Sequence, residues 1–403
     1  MDVLIIGNGF DLANNMQTRY SDFLKFAARL RKIFTNEEIA ECQKCREDIE
    51  RIIDDKCGNK RNNLFFRHDL IENLFFKNVW IDYFIIKANQ IPDKWVDFEE
   101  EIGCVIHSLY DGILCGSKKG YPWSASEMIE CIQVYYEEMY VDKDVSFEME
   151  MEYYISILEE HLIKLEKALE FYLREFVMSA EINVNALDVK EILDNNHETQ
   201  IISFNYTDTL EKYYFVDEKN IIYVHGKLGV DDEYKKTDLV LGVDDEDESL
   251  IMDQRFLPFY KYCRREVKGA SHRTKLISSR LMQQAEVIMA EKNFLTKDMV
   301  QVEMINGGDK DYQTAHSKQL SEFERKHKKD NLYIYGHSLA VSDREYLMEF
   351  LTNEQIIITI FYHDEQQKTG QIKNLISMLG RNRFVDFTSR DRIVFCKQKE
   401  VAN

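Results

Sequence analysis

Proline is almost absent from this sequence. Three occur in 403 residues, Pro92, Pro122 and Pro258. There is no Pro-rich or Gly/Ser-rich stretch, so no linker of the kind that separates independent domains. Long runs are left free to form helix, which proline would end. Cationic charge is also short: 52 Lys and Arg stand against 72 Asp and Glu, a formal net charge of −20. That argues against a general nucleic-acid surface, which needs clustered Lys and Arg. The short basic runs at 324–329 and in "RNRF" and "SRDR" read as solvated faces. No apolar run reaches membrane-spanning length. The N terminus lacks the basic region and cleavage site of a secretory leader. Paired CxxC modules are missing too. Eight irregularly spaced cysteines read as reduced thiols, with a cytoplasmic location expected. Cys42-x-x-Cys45, with Cys57 and His68 behind it, is the nearest approach to a zinc spacing, but its surroundings are highly charged. No metal is expected. The acidic run at 244–248 reads as a solvated loop.

What the chain does have is a core: 44% hydrophobic and 12% aromatic residues. It opens "MDVLIIGNGFDLANN". Val3 to Ile6 form a short all-apolar run, the mark of a strand covered on both faces, as in a parallel sheet. Gly7 and Gly9 permit a sharp turn and a close approach. A helix start follows, so strand, turn and helix together make a candidate anion or nucleotide cradle. With two glycines and no third, the motif also fits a plain tight turn. Helical stripes then dominate as far as residue 195, including "YSDFLKFAARLRKIF", "WVDFEEEIGCVIHSLYDGIL" and a long helix from "MEMEYYISILEEHL".

Beyond residue 195 strands return. "TQIISFNY", "NIIYVHGKLG", "DLVLGVDD", "NLYIYGHS", "IIITIFYH" and "DRIVFCK" read as strands, several separated by helices. The expected fold is α/β, a doubly wound, Rossmann-like parallel sheet with large helical insertions. Segments 1–23, 196–248 and 331–403 form the core, 24–195 the first insertion and 249–330 the second. Ligands bind such sheets at the carboxyl ends of the strands. On this reading that edge carries "GNGFD" (7–11), "SFNYTD" (203–208), "VHGKL" (224–228), "YGHSLAVSD" (335–343) and "FYHDE" (361–365). Buried strands that all finish on polar residues need partners, and a nucleotide supplies many.

"LIIGNGFDLANN", "TRYSDFL", "WVDFEEEI", "ISFNYTDTLEKYY", "VHGKL" and "YGHSLAVSDREYL" resemble, in order, the AbiH abortive-infection family of bacterial anti-phage proteins. One departure is "NNMQTRYSDF", where the family tends to carry His-Gly-Leu-Pro before the Tyr. More distantly, Gly7-Asn8-Gly9, Asn205, His225-Gly226 and Gly336-His337-Ser338-Leu339 resemble the motifs of sirtuin-like NAD-consuming domains, with Asn205 and His225 20 residues apart. Here Asp208 follows the Asn at the third position rather than the second, and the paired CxxC module of the deacetylases is absent. The resemblance implies a sirtuin-like core and NAD as substrate. It implies Asn205 and His225 as catalytic residues, and Gly7, Asn8, Gly9, Phe10, Asp11, Asp208, Gly226, Gly336, His337 and Ser338 as cofactor-binding residues.

Cleaving the nicotinamide–ribose bond needs a positioned water or ribose hydroxyl and a base. Asn205 offers a donor and an acceptor, and His225, titrating near neutrality, suits the base. Asp11 and Ser338 are candidates for ribose hydroxyls, and the Gly7–Gly9 turn for the pyrophosphate. Each has a plainer alternative. Asn205 suits a cap for the helix expected at 206–213, and His225 a structural histidine. His337 and His363 suit supporting roles. Glu99 to Glu101 read as a solvated helix face, with Glu99, one turn from Trp95, as the member able to reach the pocket. The expected function is an anti-phage effector that depletes NAD on a phage-derived trigger, with the insertions as sensor or homo-oligomer surface. The alternatives are a non-catalytic nucleotide or ADP-ribose sensor and a nuclease-type toxin.

Overall fold

The structure, a computed structural model, describes residues 2–34, 69–90, 97–115, 123–136, 147–180, 182–230, 234–244, 253–268, 330–353 and 356–399, with a few single positions between 277 and 318. Cys42, Cys45, Cys57 and His68, the basic run at 324–329 and most of 249–330 lie outside the described residues.

β1 (Asp2–Ile6) is apolar on both faces because both are covered. Val3 and Ile5 enter one core cluster, Leu4 and Ile6 another. β2 (Gln200–Ser203), β3 (Ile221–Tyr223), β4 (Asp330–Tyr335), β5 (Ile356–Tyr362) and β6 (Ile393–Lys397) complete a six-stranded sheet. All pairings are parallel, in the order β3-β2-β1-β4-β5-β6. The direction of strand addition therefore reverses between β1 and β4, where the strand-to-helix connections part to opposite faces and a crevice opens.

Helices cover both faces. α1 (Asn8–Ala13) leaves β1, and α2 (Tyr20–Phe34), α3 (Val79–Gln90), α4 (Phe98–Cys115), α5 (Trp123–Tyr136) and α6 (Phe147–Tyr172) follow. α7 (Leu187–Asn195) and α8 (Thr209–Tyr214) pack on one sheet face, where Val189 and Leu210 join Leu4 and Ile201. α9 (Lys261–Lys268) precedes β4. α10 (Arg344–Leu351), α11 (Glu365–Leu379) and α12 (Arg381–Ser389) cover the other face through Leu347, Leu375 and Phe387. The fold is thus α/β and doubly wound, with large helical segments between its strands. α7 packs on the sheet although its residues fall within the stretch read from the sequence as a helical insertion.

α2 to α6 share a separate aromatic core. Tyr20 stacks on Phe98 at 4.1 Å between ring centroids, and Phe98 on Phe84 at 4.1 Å. Burial on both sides of a ring makes such stacks among the strongest contacts of a helical core. "DLVLGVDD" is not a strand of the sheet. Leu239, Leu241 and Val243 are buried against the helical cluster instead. Their backbone is satisfied locally: Val240 N donates to His225 O, Leu241 N to Glu166 Oε1 and Val243 N to Phe259 O. Apolar periodicity reports burial, and here a loop provides it.

Candidate functional site

The turns after β1 and β4 meet at the strand reversal. Gly9 N donates to Gly336 O at 2.8 Å, and Gly7 N to Tyr335 O at 3.1 Å. A Cβ on Gly9 would lie 2.7 Å from Gly336 Cα, and one on Gly336 would lie 2.2 Å from Phe10 N. Gly336 also holds a φ of +67°. These glycines are required because two backbones touch. This changes the role expected of the Gly7–Gly9 turn. The Gly7, Gly9 and Phe10 N–H groups are bonded within the protein, Phe10 N to Gly7 O, and do not form a free phosphate cradle.

Over these turns lies a cavity of about 650 Å³, lined by Gly7, Asn8, Gly9, Asp11, Asn205, His225, Gly336, His337, Ser338 and Glu99 among others. The tertiary structure brings together these ten of the thirteen candidate residues. Phe10, Asp208 and Gly226 do not line it. Phe10 is fully buried in the sheet-face core between Tyr214 and Tyr335. Asp208 pairs with Lys212 one turn along α8, at 3.1 Å. Gly226, at φ +83°, allows the chain to pass Asp238 O, which a Cβ would meet at 1.8 Å. Asn8 lines the cavity but its carboxamide also pins the loop before α2, accepting from Thr18 Oγ1 and donating to Thr18 O.

Asp11 sits on α1, 1% exposed. Its carboxylate accepts from Thr207 Oγ1 at 2.8 Å and Thr209 Oγ1 at 3.1 Å. Among the described residues no Lys, Arg or His forms an ion pair with it. Burial pushes its pKa up to about 7, against the two threonine hydroxyls and the neighbouring Asn205, which favour the charged form. Asn205, two residues beyond β2, is 5% exposed. Neither its Oδ1 nor its Nδ2 makes a hydrogen bond of good geometry with any described residue. It does not cap α8, whose first residue follows Asp208 and receives no side-chain cap.

His225 and His337 flank Asp343. His337 Nδ1 accepts from Leu339 N at 2.9 Å, so its proton sits on Nε2, 3.3 Å from Asp343 Oδ2. His225 Nε2 lies 3.5 Å from Asp343 Oδ1, and its Nδ1 is buried without a hydrogen-bond partner among the described residues. Burial opposes the charge on Asp343, but the two histidines and nearby Lys261 outweigh it and hold the carboxyl well below its usual range. His225 does not titrate near neutrality. Burial, with Lys261 and Arg265 adding to it against Asp343, lowers its pKa to about 4 and keeps the ring neutral.

Glu99 is tied to Lys261 Nζ at 2.6 Å, and Lys261 also reaches Asp244 at 3.2 Å. Burial disfavours the ammonium, yet Glu99, Asp244 and Asp343 together keep Lys261 charged above the usual lysine range. Burial, with Asp343 and Asp97 adding to it against Lys261, pushes Glu99 up to about 8. Glu99 is therefore part of a buried charge network rather than a solvated face, and Asp244 belongs to that network too.

Sequence reading missed Asp343, Thr207, Thr209 and Lys261. Asp343 and Thr207 stand inside the quoted strand-end motifs and Thr209 one residue beyond, so polar residues at those ends were the available signal. Lys261 had none, because its role comes from a helix distant in sequence. His363 lines the cavity but is exposed and bonded to Gln367 and Asp364.

No helix among the described residues is long and apolar enough to cross a membrane. No three His, Cys, Asp or Glu side chains among them are grouped as metal ligands. No curated protein and no solved structure matches the chain. A family model does: Bacteriophage abortive infection AbiH, over residues 3–363. The match runs from β1 to just past β5 and takes in every residue discussed around Asp11, Asn205 and His225. The chain therefore belongs to the AbiH family of bacteriophage abortive-infection proteins.

Proposed function

We propose that this AbiH protein is an NAD+ glycohydrolase that depletes the cell's NAD during infection. The observation that supports this most is a set of buried polar groups lining one cavity at the strand reversal with no well-formed hydrogen bond among the described residues: the Asn205 carboxamide, whose nitrogen interacts with Asp11, and His225 Nδ1. Buried polar atoms are rarely left unpaired without a ligand or water to pair them. Asp11 adds a second argument. A buried carboxylate with two hydroxyl donors and no cationic partner favours a ligand that brings positive charge. The nicotinamide ring of NAD+ is cationic, and the ribose carbon becomes so as the bond breaks.

In the reaction, the C1′–N bond breaks and its electron pair returns to the ring, releasing neutral nicotinamide. Water held by Asn205 attacks C1′ and gives ADP-ribose. The water's proton goes to His225 Nδ1, with Asp343 supporting the resulting imidazolium through Nε2. A histidine with a pKa of about 4 is a weak base. It serves here because departure of the ring precedes most of the proton loss. Arg19, the one Lys or Arg among the described lining residues, is exposed and available to a phosphate.

A second reading keeps the ligand and removes the turnover: a pocket that senses a nucleotide and controls a partner. The weak basicity of His225 favours it. A nuclease-type toxin fits less well, because Glu99 is engaged by Lys261 and Asp343 by the two histidines. The deciding experiment incubates purified protein with NAD and follows nicotinamide by chromatography, with and without phage lysate. Release that disappears in Asn205→Ala supports the glycohydrolase. A thermal shift with NAD and no release under either condition supports the sensor.

A further inference from the structure

The cavity extends past the strand reversal to the β5 side, where its walls, apart from the exposed His363, are mostly amides. Gln371, on α11, lines it there and is 1% exposed. Its Nε2 donates to His337 O at 3.1 Å and to Phe361 O at 3.2 Å. A carbonyl oxygen can only accept, so the amide has one orientation: nitrogen towards the two strand ends. Its Oε1 is left buried, with no hydrogen-bond partner among the described residues.

An acceptor so held requires a donor from a ligand or a water. The surroundings narrow the choice. Asn374, Gln367, Gly370 and Gln398 line this side and are uncharged, and the one titratable residue beside them, His363, is exposed and engaged by Asp364 and Gln367. That suits neither a phosphate nor a carboxylate, which would call for Lys or Arg. A Cβ at Gly370 would meet nothing within 4 Å, so the helix leaves room beside Gln371 for a flat group. Amide side chains, uncharged walls and room for a plane fit a nucleobase.

We infer that this arm is a nucleobase subsite in which Gln371 Oε1 accepts a hydrogen bond from an exocyclic amino group, so that adenine is taken over hypoxanthine. The inference rests on the nucleotide reading of the cavity and names the base it takes. The physical basis of selection is repulsion as much as attraction. A 6-oxo group in place of the 6-amino group sets two acceptors against each other and leaves both unsatisfied.

The test uses the purified full-length chain and two ligands without nicotinamide, ADP and IDP, which differ in that group. Titration calorimetry should give ADP a Kd about 10- to 100-fold lower than IDP. ADP carrying two methyl groups on the amino nitrogen should bind as weakly as IDP. Equal affinities for ADP and IDP, or binding of neither, overturn the inference. A folded Gln371→Met variant should bring the ADP:IDP ratio to about one. Retention of the preference in that variant overturns the assignment to Gln371. If the variant does not fold, the ligand comparison on the unsubstituted chain still decides. ADP preference without NAD cleavage would leave the subsite standing and remove the glycohydrolase. Cleavage without ADP preference would do the reverse.

Discussion

His225 presents two edges with different tasks: Nε2 turned to Asp343, and Nδ1 without a partner among the described residues. If Nδ1 is the base, His225→Ala should lower turnover about 10²–10⁴-fold, the usual worth of that role. Asn205→Ala should lose a similar factor through misplaced water. Nicotinamide release measures both, and melting temperatures should stay close to that of the unsubstituted protein. The pKa shifts carry signs that can be checked. His225 is depressed, so the stability it contributes is present above its unfolded value of 6.5 and lost as pH falls through about 4. Asp11 is raised, so its contribution is present below 3.8 and lost as pH rises through about 7. Above that pH the folded protein holds a buried, uncompensated charge. Asp11→Asn should therefore raise the melting temperature more at about pH 8.5 than at about pH 6 while lowering turnover. An equal stability change at both pH values would mean that Asp11 titrates as an ordinary carboxyl.

Between elements, the contacts that matter are those joining pieces distant in the chain. The turns after β1 and β4 touch through Gly9 and Gly336, and there is no space for a side chain. Gly336→Ala combines a positive φ with a Cβ 2.2 Å from Phe10 N, and should destabilise by about 3 kcal/mol or more in urea melts. Glu166, on α6, joins the helical core to the site. Its side chain is fully buried and bonded to Arg264 Nη2 at 2.6 Å and Lys268 Nζ at 2.7 Å, both on α9. It also accepts from Leu241 N, fixing the loop whose Val240 N–H bonds His225 O. Removing one member of a buried ionic group strands the others. Glu166→Ala should cost about 3–5 kcal/mol. Amide exchange at Val240 and Leu241 should rise with it, and a change confined to α6 would show that the loop is held by other means.

At the scale of the molecule, the sheet supplies the cavity floor and the helical segments supply Tyr20, Glu99 and the ring stack behind them. In cells, the proposed activity predicts that Asn205→Ala and His225→Ala each abolish protection from phage and keep NAD constant during infection. Metabolite extracts before and after infection measure this. A folded double variant that still protects would shift the account to the sensor.

The parallel sheet was legible because a strand covered on both faces must be apolar throughout, and Val3 to Ile6 and Ile356 to Ile360 are nearly so. The candidate site was legible as a row of polar strand ends, since parallel strands deliver all their carboxyl ends to one edge. That local logic located Asn205, His225 and Asp11. It could not foresee that Gly7 and Gly9 face Gly336 and His337 rather than a phosphate, because only the packing of two distant turns decides what a glycine approaches. It misread Leu239–Val243 as a strand, since periodicity registers burial but not the partner that satisfies the backbone. Charge states were hidden for the same reason. Histidine and aspartate have ordinary pKa values as isolated residues, and it is the desolvation imposed by the assembled fold, with Lys261 brought from a remote helix, that keeps His225 neutral and leaves Asp11 poised near pH 7.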